Sequence, residues 1–205
     1  MPKHHRALAV LAAAALAACG ADGTQPSGVI ATGGPLLELS DPPIEVSVLQ
    51  RSTPLVHNFA AAAVIGPEGG TLRIPDAGFS ITFPANAVAE PTEISVTAVP
   101  GYAVAYLFQP HGLVFATPAV ITQELRGTRA PRDPSALRQL EGAYFTGPEE
   151  LVGPTATVRE TRPTLVDTDA RKVTWTVEHF SGYTVSSTRR GGYINASGNL
   201  IPTGH

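Results

Sequence analysis

Val173-Thr174-Trp175-Thr176-Val177-Glu178, then His179-Phe180-Ser181-Gly182, then Tyr183-Thr184-Val185 alternates apolar and polar residues on either side of a short break. Successive residues of an extended chain face opposite ways, so Val173, Trp175 and Val177 share one side while Thr174, Thr176 and Glu178 share the other. Tyr183 and Val185 resume the same period after a break at Gly182. Outward from here the pattern recurs. Ile94, Val96 and Ala98 alternate with Glu93, Ser95 and Thr97, and Phe79, Ile81 and Phe83 with Ser80 and Thr82. Leu72 and Ile74 flank Arg73, and Ile44, Val46 and Val48 alternate with Glu45 and Ser47. One apolar and one polar face per strand is what antiparallel sheets packed on a single side require. Turn residues punctuate the runs at Gly66-Pro67-Glu68-Gly69-Gly70, Pro75-Asp76-Ala77-Gly78, Pro100-Gly101 and Gly147-Pro148. The reading predicts an all-β protein, an antiparallel β-sandwich over residues 44–188. Only Pro134 to Leu140 reads as helix, a turn or two opened by Pro134-Ser135.

Composition agrees. The chain has 205 residues, 43% hydrophobic and 15% charged, which suffices for one ordinary core. Its 20 Gly and 19 Pro suit many short strands joined by turns. Heptads and a Gly-X-Y repeat are absent. Lys and Arg number 14 against 17 Asp and Glu, a net charge of −3, so the basic footprint of a nucleic-acid binder is missing and no nucleic-acid partner is expected.

The first residues read as a secretion signal. Lys3 and Arg6, with His4 and His5 between them, precede an apolar run from Ala7 to Ala18 built only from Ala, Leu and Val. Twelve helical residues reach about 18 Å, short of a hydrocarbon core of about 30 Å, so the run fits a signal peptide (residues 1–18) better than a membrane span. It ends in Leu16-Ala17-Ala18-Cys19-Gly20, which resembles the bacterial lipobox, where the cysteine is lipidated and the signal removed before it. Cys19 is the chain's single cysteine, and an unpaired thiol in a secreted chain is otherwise odd. Two or three acyl chains, at about 0.8 kcal/mol per buried CH₂, anchor a protein to a membrane effectively for good. By the same resemblance, Gly20 after the cysteine implies the outer membrane of the cell envelope. Removing Lys3 and Arg6 leaves 14 − 2 = 12 basic against 17 acidic residues, near −5. Residues 19–43 read as a flexible tether: nine of the twenty-four from Gly20 to Pro43 are Gly or Pro. Such a tether spans about 25–30 Å. Residues 189–205, rich in Gly, Asn and Ser, read as a poorly ordered tail.

Three segments carry a family resemblance. Val64-Ile65-Gly66-Pro67-Glu68-Gly69-Gly70-Thr71-Leu72, then Phe83-Pro84-Ala85-Asn86-Ala87-Val88 with Thr92-Glu93-Ile94-Ser95-Val96, resembles the opening of the ZU-five domain of zonula occludens proteins, netrin receptors and ankyrins. Phe108-Gln109-Pro110-His111-Gly112-Leu113-Val114-Phe115, followed by Thr117-Pro118-Ala119-Val120-Ile121, is similar to its central stretch, and His179-Phe180-Ser181-Gly182-Tyr183 to its closing motif. The likeness covers about residues 62–187; the loop from Leu125 to Leu140 departs from it. The resemblance implies a β-sandwich interaction module, here a non-catalytic binding or scaffolding unit held at the membrane through Cys19, with a protein or glycan partner.

The same resemblance offers an alternative. In death-domain proteins carrying ZU-five modules, the Phe–Ser bond of the closing motif breaks spontaneously. Residue chemistry makes this intelligible: Ser181 would attack the carbonyl of Phe180, giving an ester that water hydrolyses, with His179 as base. Equally, His179, Phe180 and Ser181 serve as architecture, Phe180 filling the core and Ser181 starting a turn.

Other candidates are weaker. Arg126, Arg129, Arg132 and Arg138 surround a Pro-rich loop and could grip an anionic sugar or phosphate, or simply be solvated. His57, His111, His179 and His205 lack metal-site spacing, so neither metal nor other cofactor is expected. Asp167-Thr168-Asp169 lacks the glycine and closing glutamate of a calcium loop and reads as a turn. Gly66–Gly70 lacks the Gly-Lys-Ser/Thr continuation of a phosphate loop, and no Gly-x-Ser-x-Gly elbow occurs. Tyr102 and Tyr106 suit either a contact surface or strand packing.

Overall fold

The computed structural model describes residues 43–194 and 200–201. The signal-like segment, Cys19, the tether up to residue 42 and most of the stretch 195–205 lie outside the described residues. The described chain is all-β, with every strand pair antiparallel. In chain order the strands are β1 (Ile44–Val48), β2 (Gln50–Leu55), β3 (Phe59–Ile65), β4 (Gly70–Ile74), β5 (Phe79–Phe83), β6 (Thr92–Ala98), β7 (Gly101–Ala103), β8 (Ala105–Gln109) and β9 (Val114–Glu124). A short helix, α1 (Pro134–Leu137), precedes β10 (Glu141–Phe145), β11 (Leu151–Val152), β12 (Thr155–Val158), β13 (Glu160–Pro163), β14 (Leu165–Asp167), β15 (Lys172–His179), β16 (Gly182–Ile194) and β17 (Leu200–Ile201). Among the described residues, no helix is long and apolar enough to cross a membrane.

Two sheets form the sandwich. A five-stranded sheet runs β14-β15-β9-β5-β4. A larger one runs β11-β12-β1-β16-β8-β6-β3, with β10 and β17 also paired to β16 and β13 to β10. A β2–β7 ribbon stands apart; Pro54 sits in β2, where the ribbon's irregular pairing leaves its missing N–H unmissed. The alternation read from sequence becomes burial: Ile94, Val96 and Ala98 of β6 face Ile81, Phe83, Ile121, Trp175 and Val177 of the smaller sheet within one apolar cluster. Phe79 bridges the layers, its ring centroid 4.1 Å from that of Tyr106 and 6.0 Å from that of Phe108. Each such side chain contributes about 1.5–3 kcal/mol by leaving water. A second cluster, with Val46, Val48, Phe145, Ala156 and Val158, lies where β1, β10 and β12 meet.

Some elements carry no alternation. In β3 the run Ala60–Ala63 supplies both the exposed and the half-buried face, so polarity does not mark the strand. β9 is continuous through Pro118, which falls where the β9–β15 register shifts between Val177 and His179 and where β5 no longer pairs; a ladder irregularity is where a strand tolerates proline. Of the segment 134–140 read as helix only Pro134–Leu137 forms α1, a single turn capped by Asp133 Oδ2 accepting from the Ala136 N–H at 2.8 Å. β16 continues past residue 188, the domain end read from sequence, to Ile194, and pairs there with β17.

The start of β16 is enclosed. Gly182–Thr184 pair with β8 on one edge and with β10 on the other. A Cβ on Gly182 would stand 2.3 Å from Phe145 Cε2, so only glycine admits β10 this close. This junction of β15 and β16 holds His179, Phe180 and Ser181.

Candidate functional site

Phe180 is fully buried and its ring lies against three others: Phe108 stacked at 4.8 Å, Phe115 edge-on at 4.7 Å and Phe83 edge-on at 6.0 Å. That cluster anchors the carbonyl side of the Phe180–Ser181 bond. The β8–β9 turn, Pro110 to Leu113, closes over it. Gly112 (φ +76°) donates its N–H to the Phe180 carbonyl at 2.9 Å, Phe180 donates to the Leu113 carbonyl at 2.8 Å, and Phe108 donates to the Ser181 carbonyl at 2.9 Å. These three backbone bonds fix the tripeptide against the turn that carries His111.

Ser181 is 4% exposed, and its hydroxyl has three polar neighbours. His111 Nε2 lies 2.9 Å from Oγ, the Tyr144 hydroxyl donates to Oγ at 3.1 Å, and Oγ donates to the Phe180 carbonyl at 2.7 Å. The hydroxyl has one proton, so it goes either to the Phe180 carbonyl or to Nε2, and Nε2 accepts it when His111 carries its own proton on Nδ1 and the O–H turns from the carbonyl to the ring. The imidazole beside the serine is therefore His111, on a surface turn 70 residues away, and not the adjacent His179. The His179 ring stands edge-on to Tyr144 at 4.8 Å and tilted over Tyr183 at 6.3 Å, while its carbonyl accepts from the Tyr183 hydroxyl at 3.0 Å. The imidazole within hydrogen-bond reach of Ser181 Oγ is thus that of His111, while the ring of His179, the candidate base read from sequence, packs against Tyr144. Tyr144 itself carried no sequence signal. The Gln109-Pro110-His111-Gly112 turn did: a histidine next to a turn glycine, within the quoted central stretch.

The arrangement holds the parts of an acyl transfer in cis: a hydroxyl, an imidazole to take its proton, and a carbonyl already receiving one backbone N–H at the oxygen where negative charge would develop. The surroundings are charged. Arg162 pairs with Glu160 and, at 3.5 Å, with Glu178. Burial first, and then the Glu160 carboxylate, push the Tyr183 phenol well above the ordinary tyrosine range, Arg162 opposing.

The arginines do not converge. Arg126, Arg129, Arg132 and Arg138 are all exposed, while Leu125, Leu137 and Leu140 anchor their loop in the core. The Arg129 guanidinium sits over the Tyr102 ring, 5.1 Å from its centroid, beside a depression shared with Gln50, Pro131 and Gln139. Arg138 lines a neighbouring one with Glu141, Pro163 and Thr164. Tyr106, by contrast, is fully buried, its hydroxyl directed at the Ala77 carbonyl (3.1 Å) and Gln123 Oε1. Burial pushes its phenol up to about 12, with Arg51 and Gln123 opposing. Asp167 Oδ1 accepts from the N–H of Asp169 at 3.0 Å and of Ala170 at 2.8 Å, a turn before β15. Among the described residues no cluster of three or more metal-ligating side chains occurs, and His57 stacks on Phe59 at 4.4 Å. His205 lies outside them.

No protein-family model matches the chain, and no curated protein matches it significantly.

Proposed function

We propose that this chain is a lipid-anchored protein of the bacterial envelope whose ZU-five-like β-sandwich cuts itself once, between Phe180 and Ser181. The observation that carries the reading is the 2.9 Å approach of His111 Nε2 to Ser181 Oγ, beside a Phe180 carbonyl that already accepts the Gly112 N–H at 2.9 Å. In the first step the Oγ proton passes to His111 Nε2 and Oγ bonds to the Phe180 carbonyl carbon. The C–N bond then breaks as the imidazolium returns the proton to the Ser181 nitrogen, leaving an ester and a free amine. In the second, water adds to the ester carbon and the C–Oγ bond breaks, giving a Phe180 carboxylate and a new amino-terminal Ser181. This is one turnover on the chain itself, not catalysis on other molecules, and it uses no cofactor. The sequence supports the anchor: a lone Cys19 closes the apolar run, with Gly20 after it favouring the outer membrane.

The test is a denaturing gel. The full chain resolves into two pieces and the Ser181→Ala chain into one; a single band from the parent chain rejects self-cutting. Acyl label present in the parent and lost in Cys19→Ala tests the anchor separately.

A non-catalytic binding or scaffolding role, with a protein or glycan partner, is the second reading. It is favoured by the exposed Arg129 and Arg138 beside adjoining depressions. Titration with an anionic oligosaccharide tests it: binding that Arg129→Ala and Arg138→Ala abolish supports it, and binding indifferent to both rejects this surface.

A further inference from the structure

Tyr144 touches the reacting oxygen, and the acyl shift leaves it without a task. In that first step the proton travels from Oγ to His111 Nε2 and on to the departing nitrogen, so His111 alone balances it. The Tyr144 hydroxyl, donating to Oγ at 3.1 Å, draws electron density from the nucleophile and does not aid attack. Ester hydrolysis has the opposite need. The leaving group is then Oγ itself, a poor one unless protonated, and Ser181 is 4% exposed, so bulk water does not reach it freely. The neighbour that already directs a proton at Oγ is Tyr144. Its ring is held for this by His179 edge-on at 4.8 Å and by Tyr183 at 5.6 Å, with the β10 backbone paired to β16 at Tyr183 and to β13 at Glu160.

We propose, resting on the self-cutting reading above, that Tyr144 is the general acid of ester hydrolysis, so that it commits the shifted chain to cleavage. Water gives a proton to His111 Nε2 and its oxygen adds to the Phe180 carbonyl carbon. As the C–Oγ bond breaks, Oγ takes the Tyr144 proton. The imidazolium then returns its proton to the phenolate through the Ser181 hydroxyl, which touches both groups. His111 serves both steps and Tyr144 only the second. His179 is a positioning residue acting through the Tyr144 ring.

The experiment uses the full chain and Tyr144→Phe, which removes one oxygen and keeps the ring packing. In Tyr144→Phe the ester accumulates: the chain stays at full mass yet splits on brief treatment with neutral hydroxylamine, which leaves a hydroxamate on Phe180. Its spontaneous hydrolysis falls at least about 100-fold below the parent's, the scale of a lost general acid. In a Ser181→Cys background the leaving group is a thiolate that needs no proton. There, adding Tyr144→Phe changes the rate less than about 3-fold. Equal slowing in the serine and cysteine backgrounds marks Tyr144 as merely structural and overturns the proposal. So does a Tyr144→Phe chain that cuts at the parent's rate, or one that stays uncut and inert to hydroxylamine while the parent cuts. A parent that is itself uncut and inert to hydroxylamine rejects the self-cutting reading and this proposal with it, and so does a parent that shifts to the ester but is never hydrolysed; a parent that cuts while Tyr144→Phe cuts equally fast rejects this proposal alone.

Discussion

Exchanging each of two histidines for glutamine separates the roles that sequence adjacency confuses. His111→Gln removes the imidazole 2.9 Å from Ser181 Oγ, replacing it with an amide that bonds but takes up no proton. Loss of a general base slows its step by about 100- to 10,000-fold, a barrier increase of about 3–5 kcal/mol. The same change costs the fold little, because His111 is exposed and gives up at most one hydrogen bond, about 1 kcal/mol. His179→Gln does the reverse. It removes an aromatic edge from Tyr144 and Tyr183, about 1 kcal/mol of packing, and leaves nucleophile, base and carbonyl untouched. Its cutting rate therefore stays within about tenfold of the parent's. The assay is pulse synthesis followed by a chase, with samples denatured at intervals and resolved by size, and urea unfolding of each variant run beside it. A His179→Gln chain that stops cutting while His111→Gln continues would reverse the two roles, and equal slowing in both would leave His111 without a special one.

Two further expectations concern the frame around the site. Gly182→Ala drives a Cβ to within 2.3 Å of Phe145 Cε2 and costs about 1–3 kcal/mol of overpacking, visible as a lower urea midpoint. Tyr106 ionises late: its phenol rises from 10.0 to about 12 in the fold. Because the folded value is the higher, its contribution is intact below pH 10.0 and is lost as pH rises toward about 12. Absorbance at the phenolate band during an alkaline titration lags for this residue, and Tyr106→Phe removes its share of the late rise while that of Tyr183 stays.

Where one face of a strand is polar, the fold was legible. β5, β6 and β15 declare themselves because Ser80, Thr82, Glu93, Thr176 and Glu178 mark the side away from the core. β3 hides because alanine sits on both of its faces, and β9 because Pro118 reads as a break unless the register shift beside it is known. The site was legible by half. Phe180 and Ser181 follow the β15 alternation into a turn, as their residue types suggest, but the partner of Ser181 depends on how the β8–β9 turn folds back onto the β15–β16 junction. That contact is made through backbone bonds from Phe108, Gly112 and Phe180, which no side-chain pattern advertises. The placement of the arginines was hidden for the same reason: close in sequence, Arg129 and Arg138 end beside separate, adjoining depressions once α1 and the buried Leu137 and Leu140 are in place.

Self-cutting is read out in the mass of the denatured full chain produced in water enriched in oxygen-18. Self-cutting predicts a fragment of residues 181–205 with a free amino-terminal Ser181, and a partner fragment ending at a Phe180 carboxylate that carries one heavy oxygen. One uncut chain without heavy oxygen at Phe180 would contradict it.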